Sequence, residues 1–186
     1  VDELEMICRY SRSTELPKIM TFAVETAMRR SEITGLQSAN VNLEKRVALL
    51  PLTKNGSSRG VPLSSKAVDI LSNLAEREDG RCFRSRPDSI TKAFANAVAD
   101  ARSSYTEGLS LHLKHKKLSQ DKIDKRIKAD PFLIDLRFHD LRHEATSRLA
   151  EIFPLHELTK ITGHQDTRML MRYYHPRTEE LAKKLT

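Results

Sequence analysis

Apolar residues recur every three or four positions over much of this chain, with one interruption where they alternate instead. The opening predicts two short helices, Asp2 to Arg9 and Leu16 to about Met28. In the second, Ile19, Phe22, Ala23 and Thr26 make one buried face. A third short helix near Ser31 to Leu36 is stopped by Gly35 or soon after. The period then changes. Val41 to Leu43, Val47 to Leu52 and Gly60 to Leu63 are short apolar runs, and Thr53 to Arg59 reads as a hairpin turn around Asn55-Gly56. Helix returns at Ser65 to Glu78, with Val68, Leu71, Leu74 and Ala75 in period and Ser64 or Ser65 as cap. Arg81 to Phe83 suits a short strand, and Ile90 to Arg102 another amphipathic helix.

Residues 103–136 carry the least pattern. A basic run, Leu111 to Lys117, precedes Asp121 to Lys128, where both signs of charge mix. This suits a solvated helix or loop, with phosphate-backbone contact as the sharper alternative. From His139 to Tyr174 the period is helical again, punctuated by Pro154 and Gly163, and Thr178 caps a short last helix bearing Leu181 and Leu185. The expectation is an α+β fold: one mostly helical domain, residues 1–186, with a small antiparallel sheet.

Composition narrows the class. The 186 residues hold 32 Lys plus Arg against 25 Asp plus Glu, a formal charge of +7, with 39% hydrophobic residues. Collagenous and wholly disordered chains are excluded, and no apolar run reaches the roughly 18–20 residues of a membrane span. Two cysteines, Cys8 and Cys82, make neither a disulfide framework nor a metal knuckle; they suit buried thiols in a reducing cytosol. The first residues resemble no signal peptide and lack an initiator Met, which suggests a piece of a longer chain. The positive charge favours an anionic partner, nucleic acid first.

Five of the seven histidines lie between His139 and His175, together with two of the four tyrosines. In the helix begun by His139-Asp140-Leu141-Arg142-His143, Leu141, Ala145, Leu149 and Ile152 share the side expected to face the core. His139, His143 and Thr146 take the opposite side, with Arg142 at the edge. A His and an Arg in the first turn can reach one phosphate beside the free N–H groups of the helix end. His139 and His143 stand four apart, but the HExxH arrangement is absent, so no metal is expected. Tyr173, nine residues after His164, is a possible nucleophile toward phosphorus, and equally a packed aromatic. Arg29 forms a cationic fork or a simple pair with Glu32, and Lys54 alone is an ordinary exposed lysine.

Taken in order, Arg29 with Glu32, Lys54 in Thr-Lys-Asn-Gly, His139-x-x-Arg142, Gly163-His164 and Tyr173 resemble the catalytic domain of tyrosine site-specific recombinases, the phage integrase family. "FHDLRHEATSRL" and "ITGHQDTRMLMRYYHP" carry the likeness most specifically, and it spans roughly Asp2 to Leu185. The resemblance implies that Arg29 and Arg142 clamp the scissile phosphate and that Tyr173 forms a 3′-phosphotyrosine, releasing a 5′-hydroxyl. It implies Lys54 as general acid, His139 as an acid–base and phosphate-binding group, and His164 as a phosphate contact, with neither metal nor ATP. Tyr173 is preferred over Tyr174 by its spacing from His164. The partner implied is double-stranded DNA, with a homotetramer on paired sites and a monomer when free, in the cytoplasm of a bacterium or from a phage. Where the family often has Gly stands Ala27, an exchange expected to be harmless. The resemblance is silent on residues 103–136, and the family's amino-terminal DNA-binding domain is absent. The last helix docks on a neighbouring protomer or in cis. DNA relaxation in the manner of a type IB topoisomerase, and a non-catalytic DNA-binding regulator, stay open as alternatives.

Overall fold

The computed structural model describes residues 2–51 and 58–174. The expected Asn-Gly hairpin with Lys54, and the final helix with Leu181 and Leu185, lie outside the described residues. In chain order the elements are α1 (Glu3–Arg9), α2 (Leu16–Thr26), α3 (Arg30–Thr34), β1 (Val41–Asn42), β2 (Val47–Leu50), β3 (Arg59–Pro62), α4 (Ser65–Ser72), α5 (Pro87–His115), α6 (Gln120–Ala129), α7 (Asp140–Ile152), α8 (Leu155–Thr162) and α9 (Arg168–Met171). The chain is thus mostly helical with one small antiparallel sheet. It divides into two compact units, Val1–Met20 with Ser85–Phe138, and Thr21–Arg84 with His139–Thr186.

In the first unit, Asp2 caps α1 by accepting from the Leu4 N–H at 3.1 Å. α1 packs on α5, and α5 on α6, around Ile7, Ile90, Phe94, Ala97 and Ile123. Phe94 and Phe138 meet edge to face at 5.8 Å. α5 runs to His115, well past the expected end at Arg102. Arg102 explains the continuation. Its guanidinium donates to the Asp130 carboxylate (3.0 Å) and to the Ile127 and Asp130 carbonyls (2.8 and 3.1 Å), so the end of α6 is tied to the middle of α5. Tyr105 adds a hydrogen bond to Asp130 at 3.0 Å. These polar anchors carry no apolar period, so the hydrophobic pattern does not reveal them. The basic run closes α5, its charged side chains exposed around buried Leu113.

In the second unit the strands pair antiparallel in the order β1-β2-β3, with Ala48 opposite both Val41 and Val61. Ala48 and Leu50 of β2 face inward while Val47 and Leu49 remain exposed; on β3 the inward positions are Arg59 and Val61. Phe22 and Phe83 pack at 5.4 Å in the core. α4 is capped by Ser64 and ends at Ser72 rather than Glu78. The Ser72 hydroxyl and the Asn73 amide bond back to the carbonyls of Val68 and Asp69 and compete with further helix. Arg81 makes only an isolated bridge with Gln37, not a strand. Cys8 and Cys82 form no disulfide and are half-buried rather than enclosed, and burial pushes the Cys82 thiol up to about 11.

Two local features set up the site. Ala27 ends α2 in the left-handed region at φ +52°, which for a residue with a Cβ costs about 1–2 kcal/mol, so its place is not the neutral exchange expected. Gly163 closes α8 at φ +65° in the usual C-cap conformation, where glycine carries no such cost.

Candidate active site

Arg142 is the centre of the arrangement. The helical period puts Leu141, Ala145, Leu149 and Ile152 inward, but the buried arc of α7 is turned toward Arg142: Arg142, Ala145, Thr146 and Ala150 are buried, and Ile152 is 70% exposed. The shift follows from what Arg142 finds inside. Its guanidinium donates to the carbonyl of Ala27 and, at 2.7 Å, to that of Thr162, the last residue of α8. The strained end of α2 and the end of α8 both offer carbonyls without helical partners, and one planar fork serves both.

Arg29 stands in extended backbone just before α3. The Glu32 carboxylate accepts from its backbone N–H at 2.7 Å and from its guanidinium at 2.9 Å, while Arg29 also donates to the Gly163 carbonyl at 3.1 Å. Glu32 is shared with Arg59, which forks onto both carboxylate oxygens at 2.9 and 2.7 Å and donates through Nε to the Ile161 carbonyl at 3.0 Å. Burial pushes the Glu32 carboxyl up, but the hydrogen bonds and charges of Arg59 and Arg29 outweigh it, and the net direction is down. Arg142 is lowered to about 10 by burial and by the neighbouring arginines. It therefore stays protonated at neutral pH. Three guanidiniums gather here around one buried carboxylate, an excess of positive charge that suits an anion.

Arg29 and Arg142 line a pocket of about 380 Å³ with His139, His143, His164 and Tyr173, and the Arg59–Glu32 pair lies behind its lining. His139 is the N-cap residue of α7 and makes no side-chain cap, so its imidazole is left for the pocket; burial, then His143 and Arg142, lower its pKa. His164 follows Gly163, and its Nδ1 lies 2.7 Å from the Thr162 hydroxyl. That hydroxyl donates to the Leu158 carbonyl at 2.7 Å, so it accepts from His164 and the imidazole carries its hydrogen on Nδ1. Burial and then Arg142, Arg29 and Arg59 drive His164 down to about 4, so the free site holds it neutral. Tyr173 packs on the cluster of Ala150, Leu158 and Leu170, and its hydroxyl is hydrogen-bonded to His143 Nδ1. Tyr174 does not line the pocket.

Five of the six residues singled out in the sequence, Arg29, His139, Arg142, His164 and Tyr173, therefore line one pocket. The sixth, Lys54, falls outside the described residues. Sequence reasoning passed over Arg59, and it placed His143 on the open face of the helix without assigning it a role in the site. For Arg59 a signal existed: in Arg59-Gly60-Val61 it shares the inward side of the strand with Val61, and an inward arginine requires a buried partner. Among the described residues, no three His, Cys, Asp or Glu side chains converge as a metal site, and no helix is long and apolar enough to cross a membrane.

The profile of the phage integrase family matches residues 1–180. The chain belongs to the phage integrase family. A shufflon-specific DNA recombinase of Escherichia coli is 36% identical over 187 residues, covering 98% of this chain and 41% of that protein. The catalytic domain of bacteriophage HP1 integrase superposes with a TM-score of 0.63 at 24% identity, covering 99% of this chain and 91% of that domain. The Tn1549 transposon integrase, solved in complex with a circular intermediate DNA, gives a TM-score of 0.63 at 18% identity, covering 98% of this chain and 61% of that one. The fold is thus that of tyrosine recombinase catalytic domains. The chain spans less than half the length of the curated relatives it matches.

Proposed function

We propose that residues 1–186 form the catalytic domain of a site-specific DNA recombinase that cuts and rejoins duplex DNA through a 3′-phosphotyrosyl link to Tyr173. The observation that carries this reading is the Tyr173 hydroxyl in the same pocket as Arg29 and Arg142, whose burial network leaves positive charge in excess. In this reading both arginines bind the non-bridging oxygens of the scissile phosphate, and their charge is stabilising as the phosphorus becomes pentacoordinate. Lys54 supplies the proton to the departing 5′ oxygen. His139 and His164 bind the phosphate, and the arriving anion raises their affinity for protons. Fixed guanidinium charge does here what a divalent cation does in other phosphoryl-transfer sites, and the tyrosyl phosphodiester keeps the bond energy for rejoining without ATP. Family membership and the DNA-bound Tn1549 relative support duplex DNA as partner. The same reading gives a monomer in solution and a tetramer on paired DNA sites, read out by sedimentation with and without DNA.

Covalent trapping tests it. The protein is mixed with supercoiled DNA bearing the sequences that flank its own gene, in EDTA and without ATP, then quenched in denaturant. The expected result is a protein–DNA adduct that survives in Tyr174→Phe and disappears in Tyr173→Phe. An adduct lost only in Tyr174→Phe moves the nucleophile by one residue. DNA binding by the full-length protein with no adduct overturns the reading.

A further inference from the structure

A phenol with an ordinary pKa near 10 is a weak nucleophile at neutral pH, and it needs a proton acceptor within hydrogen-bond reach. The resemblance offers His139 as an acid–base group, but among the described residues its imidazole is not the one hydrogen-bonded to the Tyr173 hydroxyl. Among the described residues the Tyr173 hydroxyl has one hydrogen-bonding partner, His143 Nδ1. His143 stands one turn after His139 on the open side of α7, its ring 6.0 Å from the Tyr173 ring and inclined at 32°. The His139 ring meets it edge-on at 4.9 Å and 89°, without a hydrogen bond to the tyrosine. His164 has its Nδ1 committed to Thr162. The turn of α7 that sends Arg142 inward to its two carbonyls sends the next residue, His143, out to the tyrosine.

We propose that His143 is the proton acceptor for Tyr173, an inference that rests on the phosphotyrosyl reading above. The neutral imidazole carries its hydrogen on Nε2 and receives the hydroxyl proton on Nδ1. The Tyr173 O–H bond breaks as the O–P bond forms, the P–O5′ bond breaks, and the departing oxygen takes its proton from the general acid. On rejoining, the 5′-hydroxyl attacks phosphorus and the imidazolium returns its proton to the tyrosine oxygen, so the cycle closes without net gain or loss. The charged and titratable groups around His143 in the pocket are Arg29, His139, Arg142, His164, Asp166 and Arg172.

The experiment uses the protein at the full length its gene encodes. The probes are duplexes of the DNA flanking that gene, with either an oxygen or a 5′-bridging sulfur at the scissile phosphate; sulfur departs without needing a proton. His143 is exposed, so His143→Gln is expected to fold normally. The expected result is a rate of adduct formation lowered about 100-fold or more near neutral pH, with sulfur as with oxygen, narrowing as rising pH ionises the phenol directly. Added imidazole restores part of the rate in His143→Ala. Full rescue of His143→Gln by sulfur places the residue on the leaving-group side and overturns the proposal, as does a wild-type rate in His143→Gln. Absence of any adduct in the wild type overturns the phosphotyrosyl reading, and this proposal with it. In the free protein, NMR titration of the Tyr173 hydroxyl changes in His143→Gln; an unchanged titration removes the contact on which the proposal stands.

Discussion

Replacing Arg59 by Met tests whether the buried ion pair holds the pocket together. The two side chains of the Arg59–Glu32 pair are only 7% and 10% exposed. Met keeps much of the arginine stem's volume but gives up three hydrogen bonds, two to Glu32 and one to the Ile161 carbonyl. Removing one partner of a buried pair costs roughly 3–5 kcal/mol, because the other charge is stranded. Glu32 is not fully stranded, since it keeps the backbone N–H and the guanidinium of Arg29, and this moves the cost to the low end. The Ile161 carbonyl, near the end of α8, loses its donor and adds about 1 kcal/mol. The expected loss is about 3–4 kcal/mol, a large part of the ~5–15 kcal/mol stability of a domain. Urea unfolding of wild type, Arg59→Met, Glu32→Gln and the double variant, followed by circular dichroism, measures the loss and the coupling. The coupling is expected at about 1.5–3 kcal/mol, with the double variant well short of the sum of the singles. A loss under about 1 kcal/mol in Arg59→Met, or additive singles, refutes the argument that this pair is buried and load is shared through Glu32.

Three further outcomes follow from the same geometry. Gly163→Ala places a Cβ 2.9 Å from Arg59 Nη1 at a φ of +65°; about 1–2 kcal/mol of backbone cost is expected in any background, with an added steric part that disappears in Arg59→Ala, readable by thermal melts of the four proteins. Arg142→Lys keeps the charge but cannot span the Ala27 and Thr162 carbonyls, so a loss of about 1–3 kcal/mol in urea unfolding is expected; wild-type stability would show that the fork is not what joins the two helix ends. For His164, the folded pKa of about 4 lies below the ordinary histidine value near 6.5, so the unfolded chain binds the proton first as pH falls. Its contribution to stability is therefore complete above about pH 6.5 and lost toward pH 4, and His164→Gln should show a shallower decline in stability across that window than the wild type.

Much of the chain's local structure was legible without coordinates. The helices α1, α2, α3 and α4 and the three strands follow from the change of apolar spacing from three-and-four to two, because burial of one face imposes each period. The order of Arg29, His139, Arg142, His164 and Tyr173 was legible through its resemblance to the phage integrase family, whereas spacing alone places only His139 and Arg142 on one helical turn. Other features came only from contacts between distant segments. α5 persists through a polar stretch because Arg102 finds Asp130, 28 residues away. Arg59 is buried because Glu32 waits for it across 27 residues. α7 turns its guanidinium inward, against its own hydrophobic period, because two helix ends present carbonyls without partners. Sequence alone determined most of the elements of the second unit and the residue types of the candidate chemistry, since propensity and periodicity act over a few residues. The tertiary structure decided which polar groups could be buried, because that depends on a partner of opposite charge or hydrogen-bonding sense arriving from far along the chain.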